Sequence, residues 1–287
     1  MTLSLSVRCA ESFLSKEQAS IRLEPLSELA QASGYSALCM RASQVGVHSV
    51  PAAIEEAASV IRRHGLAVSM VTGDFDIVYN NDGGPNCLRR IKPYLDLALA
   101  LGAPLIRVAL KNDADIPWAQ QAADEAAECG IRLAHQCHTQ SLFETVEGIE
   151  RTLRRINRSN FGLIFEAANL ELCGQNYGRD CVRRLAPWIF NVYLQNQLVK
   201  PDGRMSLPTW CGGPVAFELI PIAQAGGINF AAVFEGLAWI GYRGPVTVHQ
   251  AQTENEPLSE TIRKTAAYLI ELGRRTGLDV GRTLDAF

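Results

Sequence analysis

The pattern of hydrophobic and polar positions repeats along the chain as a short apolar strand followed by an Ala/Leu-rich helix. Five of the helical runs stop at a glycine, and an apolar strand follows almost at once. Glycine accepts the left-handed conformation that a chain needs just past the last turn of a helix. These glycines are Gly34, Gly65, Gly102, Gly130 and Gly241. The first four lie roughly thirty residues apart, the length of one strand-helix unit.

About eight such units without a change of composition predict an α/β fold, a (β/α)8 TIM barrel, as one domain over residues 1–287. The predicted strands are 3–9, 36–41, 67–73, 104–110, 131–137, 161–167, 189–196 and 245–250. The predicted helices include 15–33, 50–64, 88–101, 119–129, 144–157, 231–240 and 259–276. Segment 197–229 is long for a barrel loop, so we expect it to be a lid or a contact between copies in a homo-oligomer.

Alternation within each predicted strand sorts the side chains between the two faces of the barrel. The outward face packs on helices and must be apolar, so the polar positions point inward. Most of these inward positions lie near the strand carboxyl ends, where barrels of this kind carry their chemistry. They are Arg8, Arg41, Arg107, Gln136, His138, Glu166, Tyr193, Gln195 and His249.

Two explanations account for this inward set. Some members could pair with one another inside the barrel, as Arg107 with Glu166. However, buried charges and amides demand partners, and gathering so many at one mouth is costly unless a polar ligand uses them. We therefore predict a functional pocket at the carboxyl end of the barrel.

The amino-acid composition limits which class of ligand and which cellular compartment we expect. The net charge is −3 and no Lys/Arg run occurs, which argues against nucleic acid and favours a small-molecule substrate. The eight cysteines include no CxxC pair, so we expect free thiols in a reducing compartment. We find no signal-peptide pattern and no apolar stretch of membrane length, and we expect a cytoplasmic protein with no membrane contact.

Four stretches of the chain carry a family resemblance: ASGYSALCMR, AADEAAECGIRLAHQCH, FGLIFEAANLELCG and NFAAVFEGLAWIGYRGPVTVH. Together they resemble the xylose isomerase-like barrels, which include sugar-phosphate isomerases, epimerases and the second class of AP endonucleases. Members of that family usually bind a divalent metal through Glu on the fifth strand, Asp on the sixth, His or Gln on the seventh and Glu on the eighth. The metal polarises a carbonyl and a hydroxyl of the sugar while a carboxylate moves the proton.

The resemblance places those ligand positions on Gln136, Glu166, Tyr193 and His249, which alternation also places inside the barrel. Three expected acids are thus reduced to Glu166 alone, so Mg²⁺ or Mn²⁺ should bind weakly. A zinc site remains open, in which Glu166 and His249 are joined by Gln136, His138 or Gln195.

Without a metal, side chains must transfer the proton and stabilise the charge that develops on the substrate. Glu166 and His249 could act as complementary acid and base, and Tyr193 could donate a proton or a hydrogen bond to an oxyanion. Substrate contacts are predicted for the arginines, which suit phosphate or carboxylate groups, and for several neutral side chains. These binding residues are Arg8, Arg41, Arg107, Gln136, His138, Gln195 and, on the rim, His48.

These assignments favour an isomerase or epimerase that moves a proton next to the carbonyl of a sugar, sugar phosphate or sugar acid. Two alternatives stay open. One is a dehydratase or other lyase of the same family. The other is a non-catalytic barrel or partner subunit that kept the pocket and lost the metal.

Overall fold

A computed structural model describes residues 1–252 and 256–281, so 253–255 and the last six residues of the predicted domain lie outside the described part. Its strands are β1 (Leu3–Ser6), β2 (Ala37–Arg41), β3 (Ala67–Thr72), β4 (Leu105–Val108), β5 (Arg132–Gln136), β6 (Phe161–Glu166), β7 (Ile189–Leu194), β8 (Gln197–Val199), β9 (Met205–Thr209), β10 (Gly213–Leu219) and β11 (Val246–Val248). Strands β1 to β7 and β11 close into a barrel in sequence order, with β11 beside β1. All their pairings are parallel, which confirms the (β/α)8 barrel.

The helices lie between the barrel strands. They are α1 (Leu23–Ala32), α2 (Pro51–Arg63), α3 (Phe75–Tyr79), α4 (Asn86–Arg89), α5 (Lys92–Leu101), α6 (Ile116–Glu128), α7 (Val146–Ile156), α8 (Ala167–Leu172), α9 (Arg179–Leu185), α10 (Phe230–Trp239) and α11 (Leu258–Thr276). All five predicted stop glycines have positive φ, from 64° to 91°, so each takes the left-handed conformation expected at a helix end. Within the described ranges no helix is long and apolar enough to cross a membrane.

The chain after β1 differs from the prediction. The expected strand over 3–9 ends at Ser6, and a 3₁₀ helix over Val7–Ala10 follows because the Ser6 side chain accepts the backbone N–H of Arg8. The expected helix over 15–33 begins only at Leu23. Residues 11–20 form a compact loop, the β1 loop, whose ends meet where the Ser20 N–H donates to the Ala10 carbonyl at 2.6 Å.

The long segment between β7 and α10 is a small antiparallel sheet rather than an irregular loop. Its strand order is β8-β10-β9. Phe217 of β10 is fully buried, and its ring lies 5.8 Å from the ring of Phe13 in the β1 loop. The small sheet and the β1 loop therefore pack against each other on the carboxyl side of the barrel.

The alternation of strand side chains agrees with the prediction. One apolar cluster fills the barrel interior, and it is made of Cys39, Met70, Leu105, Ala134, Ile164 and Tyr193. The neighbouring positions Leu38, Ile106, Leu133 and Val192 pack outward into the core shared with the helices. All eight cysteines are free thiols, and only Cys129 and Cys211 are exposed.

Packing between β6 and β7 depends on a residue without a side chain. A Cβ atom on Gly162 would lie 2.5 Å from the Trp188 carbonyl oxygen and 2.6 Å from the Phe190 ring. We expect Gly162→Ala to lower the free energy of unfolding by about 2 kcal/mol, since the strands must separate to admit the methyl group. Denaturant unfolding measures this change. Gly178→Ala is the matched control because its Cβ would meet nothing closer than 3.4 Å, and an equal loss in both variants would contradict the packing argument.

Candidate functional site

The carboxyl ends of the barrel strands bring the central predicted residues together. Each lies on the inward face within one residue of the carboxyl end of its strand, and each is no more than 5% exposed. They are Arg41, Arg107, Gln136, Glu166, Tyr193 and His249. The β1 loop lies beside this barrel mouth, because Arg8 Nη1 donates to the Ser12 carbonyl at 2.5 Å.

Glu166 is held by two side-chain amides. Its Oε2 accepts hydrogen bonds from Gln136 Nε2 and, at 2.5 Å, from Asn169 Nδ2. Burial raises the pKa of Glu166 to about 7, although the two amides and the charges of Arg107 and Arg8 favour its ionised form. A carboxyl group with this pKa can both take and give a proton near neutral pH.

His249 and Tyr193 form a stacked pair beside Glu166, since Tyr193 lies opposite Glu166 in the pairing of β6 with β7. Their ring centroids lie 3.7 Å apart with an interplanar angle of 8°. His249 Nδ1 shares a hydrogen bond with Ser6 Oγ at 3.0 Å. Burial lowers the pKa of His249 well below its usual value, and the charges of Arg41, Arg107, Arg8 and Lys16 lower it further. The imidazole is therefore neutral at physiological pH, while burial raises the pKa of Tyr193 and keeps its phenol protonated.

Glu11 is the charge partner that the sequence interpretation missed. Arg41 donates to it with Nε at 2.9 Å and with Nη2 at 2.9 Å, and Arg8 Nη1 lies 3.5 Å from the same carboxylate. Burial alone would raise the pKa of Glu11, but the charge and hydrogen bonds of Arg41 outweigh it and lower the pKa. The expected strand over 3–9 left Glu11 in a loop, although its i+3 spacing from Arg8 was a usable signal.

Four consecutive strands carry, at or within one residue of their carboxyl ends, a buried polar atom that has no hydrogen-bond partner among the described residues. Arg41 ends β2, Thr72 ends β3 and Gln136 ends β5, while Arg107 lies on β4. The atoms are Arg41 Nη1, Thr72 Oγ1, Arg107 Nε and Gln136 Oε1. Buried polar groups are nearly always paired, so a row of unpaired atoms at one mouth is typical of a site that expects a polar ligand.

Lys16 adds a further positive charge from the β1 loop. Its ammonium lies 5.3 Å from the ring centre of Tyr79 and 5.9 Å from that of Phe13. Burial lowers the pKa of Lys16 to about 7, and the neighbouring arginines, Arg8 first, lower it further. Lys16 was not predicted as a site residue because the sequence placed it in a helix over 15–33. The observed loop conformation brings it near the mouth.

Three predicted binding residues have contacts of their own. His138 Nδ1 lies 2.9 Å from the Thr139 carbonyl, and burial followed by the charge of Arg107 lowers its pKa well below the usual range. Gln195 donates to Gln197 Oε1 at 3.3 Å, at the base of the small sheet. His48 is exposed and its ring lies 5.3 Å from that of Phe75.

The donor set at the mouth does not suit the divalent metal that this kind of barrel usually holds. Of the four corresponding positions only Glu166 is acidic, and its Oε2 already accepts two amide N–H groups. Gln136 directs its amide nitrogen toward Glu166, and Arg107 acts on the same carboxyl as a nearby positive charge. Across residues 1–252 and 256–281, no group of three His, Cys, Asp or Glu ligands converges at the mouth. These residues therefore fit a polar organic ligand better than a hard cation.

A family model described as "Xylose isomerase-like TIM barrel" matches residues 27–272. The chain belongs to this family. The "Rhizopine catabolism protein MocC" of Rhizobium meliloti is 29% identical over 140 residues, which cover 47% of this chain and 41% of that protein. The match thus spans less than half of the curated relative.

Two solved structures share the fold at low sequence identity. One is a probable 3-DHS dehydratase, AsbF, from Bacillus anthracis, at 13% identity and a TM-score of 0.69, covering 94% of this chain and 98% of that one. The other is a D-allulose 3-epimerase from Methylomonas sp., at 14% identity and a TM-score of 0.68, covering 95% and 98%. Likeness at this level establishes the barrel and leaves the reaction to the residues at the mouth.

The ion pair between Glu11 and Arg41 predicts that removing the charge of Glu11 lowers the stability of the fold. Glu11→Gln leaves the buried guanidinium of Arg41 without its carboxylate, so we expect the free energy of unfolding to fall by about 3 to 5 kcal/mol. Glu24→Gln is the control, because the Glu24 side chain is 56% exposed in its pair with Arg63 and should change stability by less than about 1 kcal/mol. Chemical denaturation compares the two, and equal small losses would show that the buried pair contributes little.

The raised pKa of Glu166 predicts a pH dependence of stability. Burial makes the folded state favour the neutral form of Glu166. The contribution of protonated Glu166 to the free energy of unfolding is therefore complete below the ordinary pKa of 4.5, and it is lost as pH rises through about 7. Glu166→Gln stays neutral, and we expect its stability relative to the natural protein to increase by up to about 3 kcal/mol between pH 5 and pH 8. Thermal unfolding at a series of pH values measures the difference. A difference that does not change with pH would mean that Glu166 titrates near its ordinary value.

Proposed function

We propose that this protein is an isomerase or epimerase that moves a proton next to the carbonyl of a sugar-derived substrate, with Glu166 as the proton-transferring group. The observation that carries the proposal is the environment of Glu166. It is a buried carboxyl group with a pKa of about 7, fixed by two amides beside a row of unpaired polar atoms. A general base is most effective when its pKa lies near the working pH.

The proposal assigns the two members of the stacked pair a supporting role. His249 is neutral at physiological pH, so it can hold or accept a hydrogen bond but does not carry the exchanging proton. Tyr193 keeps its phenolic proton and can donate a hydrogen bond to a substrate oxygen. Glu166 thus takes a proton from the carbon next to the carbonyl and, for isomerisation, returns it on the same face to the neighbouring carbon. For epimerisation the enolate turns over in the site, so that Glu166 returns the proton to the opposite face of the original carbon.

Positive charge takes the place that a metal ion would have in stabilising the enolate oxygen. Arg107 has one donor to the Ile77 carbonyl at 3.2 Å and a second buried N–H without a partner. Arg41 uses Nε and Nη2 on Glu11 and keeps Nη1 unpaired. Preorganised guanidinium donors in a water-poor site stabilise a developing oxyanion strongly. They also suit a carboxylate or phosphate on the substrate, which favours sugar acids and sugar phosphates.

The mouth residues are buried beneath neighbouring segments, and we infer that the β1 loop moves to admit a substrate. Phe13 stands beside Arg8 at 5.7 Å and also lines a neighbouring cavity of about 880 Å³. That cavity is bounded by the β1 loop, by the small sheet and by the start of α11, with Leu14, Leu219 and Thr261 among its lining residues. We assign this cavity as the route by which a substrate reaches the mouth when the loop opens.

The relatives are compatible with this proposal. One structural neighbour is an epimerase, and the sequence relative belongs to the catabolism of a rhizopine. Elimination of water is the second candidate reaction, since one structural neighbour is a probable dehydratase. Elimination and isomerisation both begin with abstraction of a proton next to the carbonyl.

Solvent exchange tests the reaction across a panel of candidate substrates. Aldoses, ketoses, their phosphates and the corresponding sugar acids are incubated in heavy water with chelator-treated protein, and deuterium next to the carbonyl is measured by mass spectrometry. We expect exchange with at least one anionic compound. The Glu166→Gln variant should lose at least about a hundredfold of the rate. The value of kcat/KM should rise with pH and level off above about 7, because the ionised carboxylate is the base.

Glu235→Gln serves as the control, since Glu235 is an exposed acid on α10. Exchange that survives in Glu166→Gln, or that appears only after a divalent metal is added, would contradict the assignment. Absence of exchange with every compound would favour a non-catalytic barrel.

A further inference from the structure

Three potential metal ligands converge at a place distinct from the residues of the barrel mouth. Glu144 lies in the loop between β5 and α7, Cys173 follows the last turn of α8, and Cys211 lies in the turn between β9 and β10. Their ligand atoms all lie within 4.8 Å of one another. Glu144 and Cys173 are buried, whereas Cys211 is exposed. Segments far apart in sequence thus bring one carboxylate and two thiols to one point.

Glu144 is a buried carboxylate whose described partners are backbone N–H groups. Its Oε1 accepts from the Gln140 N–H at 2.6 Å and from the Trp210 N–H at 2.7 Å, and its Oε2 accepts from the Cys211 N–H at 3.0 Å. A carboxylate has about four lone-pair positions, so one on Oε2 is left. In the part of the chain that the structure describes, no ion pair includes Glu144. Buried carboxylates are normally paired with a cation or bound to a metal.

The two thiols lie beside this carboxylate, with the ligand atoms of all three residues within 4.8 Å of one another. The Cys211 Sγ lies 3.6 Å from the Cys173 carbonyl oxygen, which holds the exposed thiol against α8. One carboxylate oxygen and two sulfurs are thus close enough to bind one ion.

We propose that Glu144, Cys173 and Cys211 form a binding site for Zn²⁺. Two thiolates with one carboxylate are a ligand set that zinc accepts, and water takes the fourth position of its tetrahedron. Zinc–sulfur bonds of about 2.3 Å in a tetrahedron place the two sulfurs about 3.8 Å apart, so these two atoms need to close by no more than about 1 Å. Rotation of the exposed Cys211 side chain supplies a movement of this size.

Zinc at this point would join the small sheet to the barrel. Cys211 belongs to the turn of the sheet, and Glu144 already holds that turn through the N–H groups of Trp210 and Cys211. Cys173 directly follows α8, the helix whose Asn169 holds Glu166. The bound ion would therefore fix the position of the sheet without contacting the proposed proton-transfer group.

Zinc titration tests the site directly. The full-length protein is stripped with a chelator, reduced and titrated with Zn²⁺ in competition with a coloured chelator, and Co²⁺ is used as a probe of thiolate ligation by absorbance. We expect one Zn²⁺ per chain, a thiolate-to-cobalt absorption band and a rise in Tm with zinc. Cys211→Ser and Cys173→Ser should each weaken binding at least about tenfold, since even indirect partners of a metal have effects of that size.

Cys129→Ser is the matched control, because Cys129 is an exposed thiol at the end of α6. Cys211→Ser keeps the test valid if the buried Cys173 variant fails to fold. Glu166→Gln should bind zinc as the natural protein does, which separates this site from the barrel mouth and from the proposed reaction. Absence of zinc binding, equal affinity in all cysteine variants, or a Cys173–Cys211 disulfide in the untreated protein would overturn the proposal.

Discussion

Three guanidinium groups, those of Arg8, Arg41 and Arg107, are buried at one end of the barrel. Glu11 is the carboxylate partner of Arg8 and Arg41, while Arg107 donates to the Ile77 carbonyl. Burial is the largest influence on the pKa values of Glu166 and His249 at the mouth, and this charge balance modifies its effect. Together with burial, the positive field keeps His249 neutral. It also opposes the effect of burial on Glu166, so that the pKa of this carboxyl group lies near 7 rather than higher. Burial and this arrangement of charges together leave two groups, Glu166 and Lys16, with a pKa of about 7.

The same balance explains how this chain differs from a metal-dependent barrel. Acidic ligands around a divalent ion carry negative charge into the site, and the ion supplies the positive charge that an enolate needs. Here Gln136, Tyr193 and His249 are neutral at the corresponding positions, and arginines supply the positive charge. In the proposed reaction the barrel architecture is retained while arginines, rather than a metal ion, stabilise the enolate. Likeness of fold therefore does not determine the reaction.

The strand-helix repeat and the strand alternation predicted the fold and the inward positions of Arg107, Gln136, Glu166 and His249. Both patterns depend on local periodicity, which a sequence displays directly. Glu11 and Lys16 were missed because they lie in a loop whose shape depends on contacts distant in sequence, such as Phe13 with Phe217. The strands β8 to β10 were missed for a similar reason, since their turn residues and short length resemble those of an irregular loop. Asn169 was also missed. It lies in the short helix α8, and only the three-dimensional structure shows that its amide donates to Glu166.

The central claim is that Glu166 holds its proton up to neutral pH because burial outweighs the surrounding positive charge. The most direct test is a carbon-13 NMR titration of protein labelled at the glutamate carboxyl carbon, with the Glu166 signal assigned by its loss in Glu166→Gln. The account predicts a midpoint near 7 for this one signal. A midpoint near the ordinary 4.5 would show that the arginines and amides dominate over burial, and the proposed proton-transfer group would then be ionised throughout the physiological range.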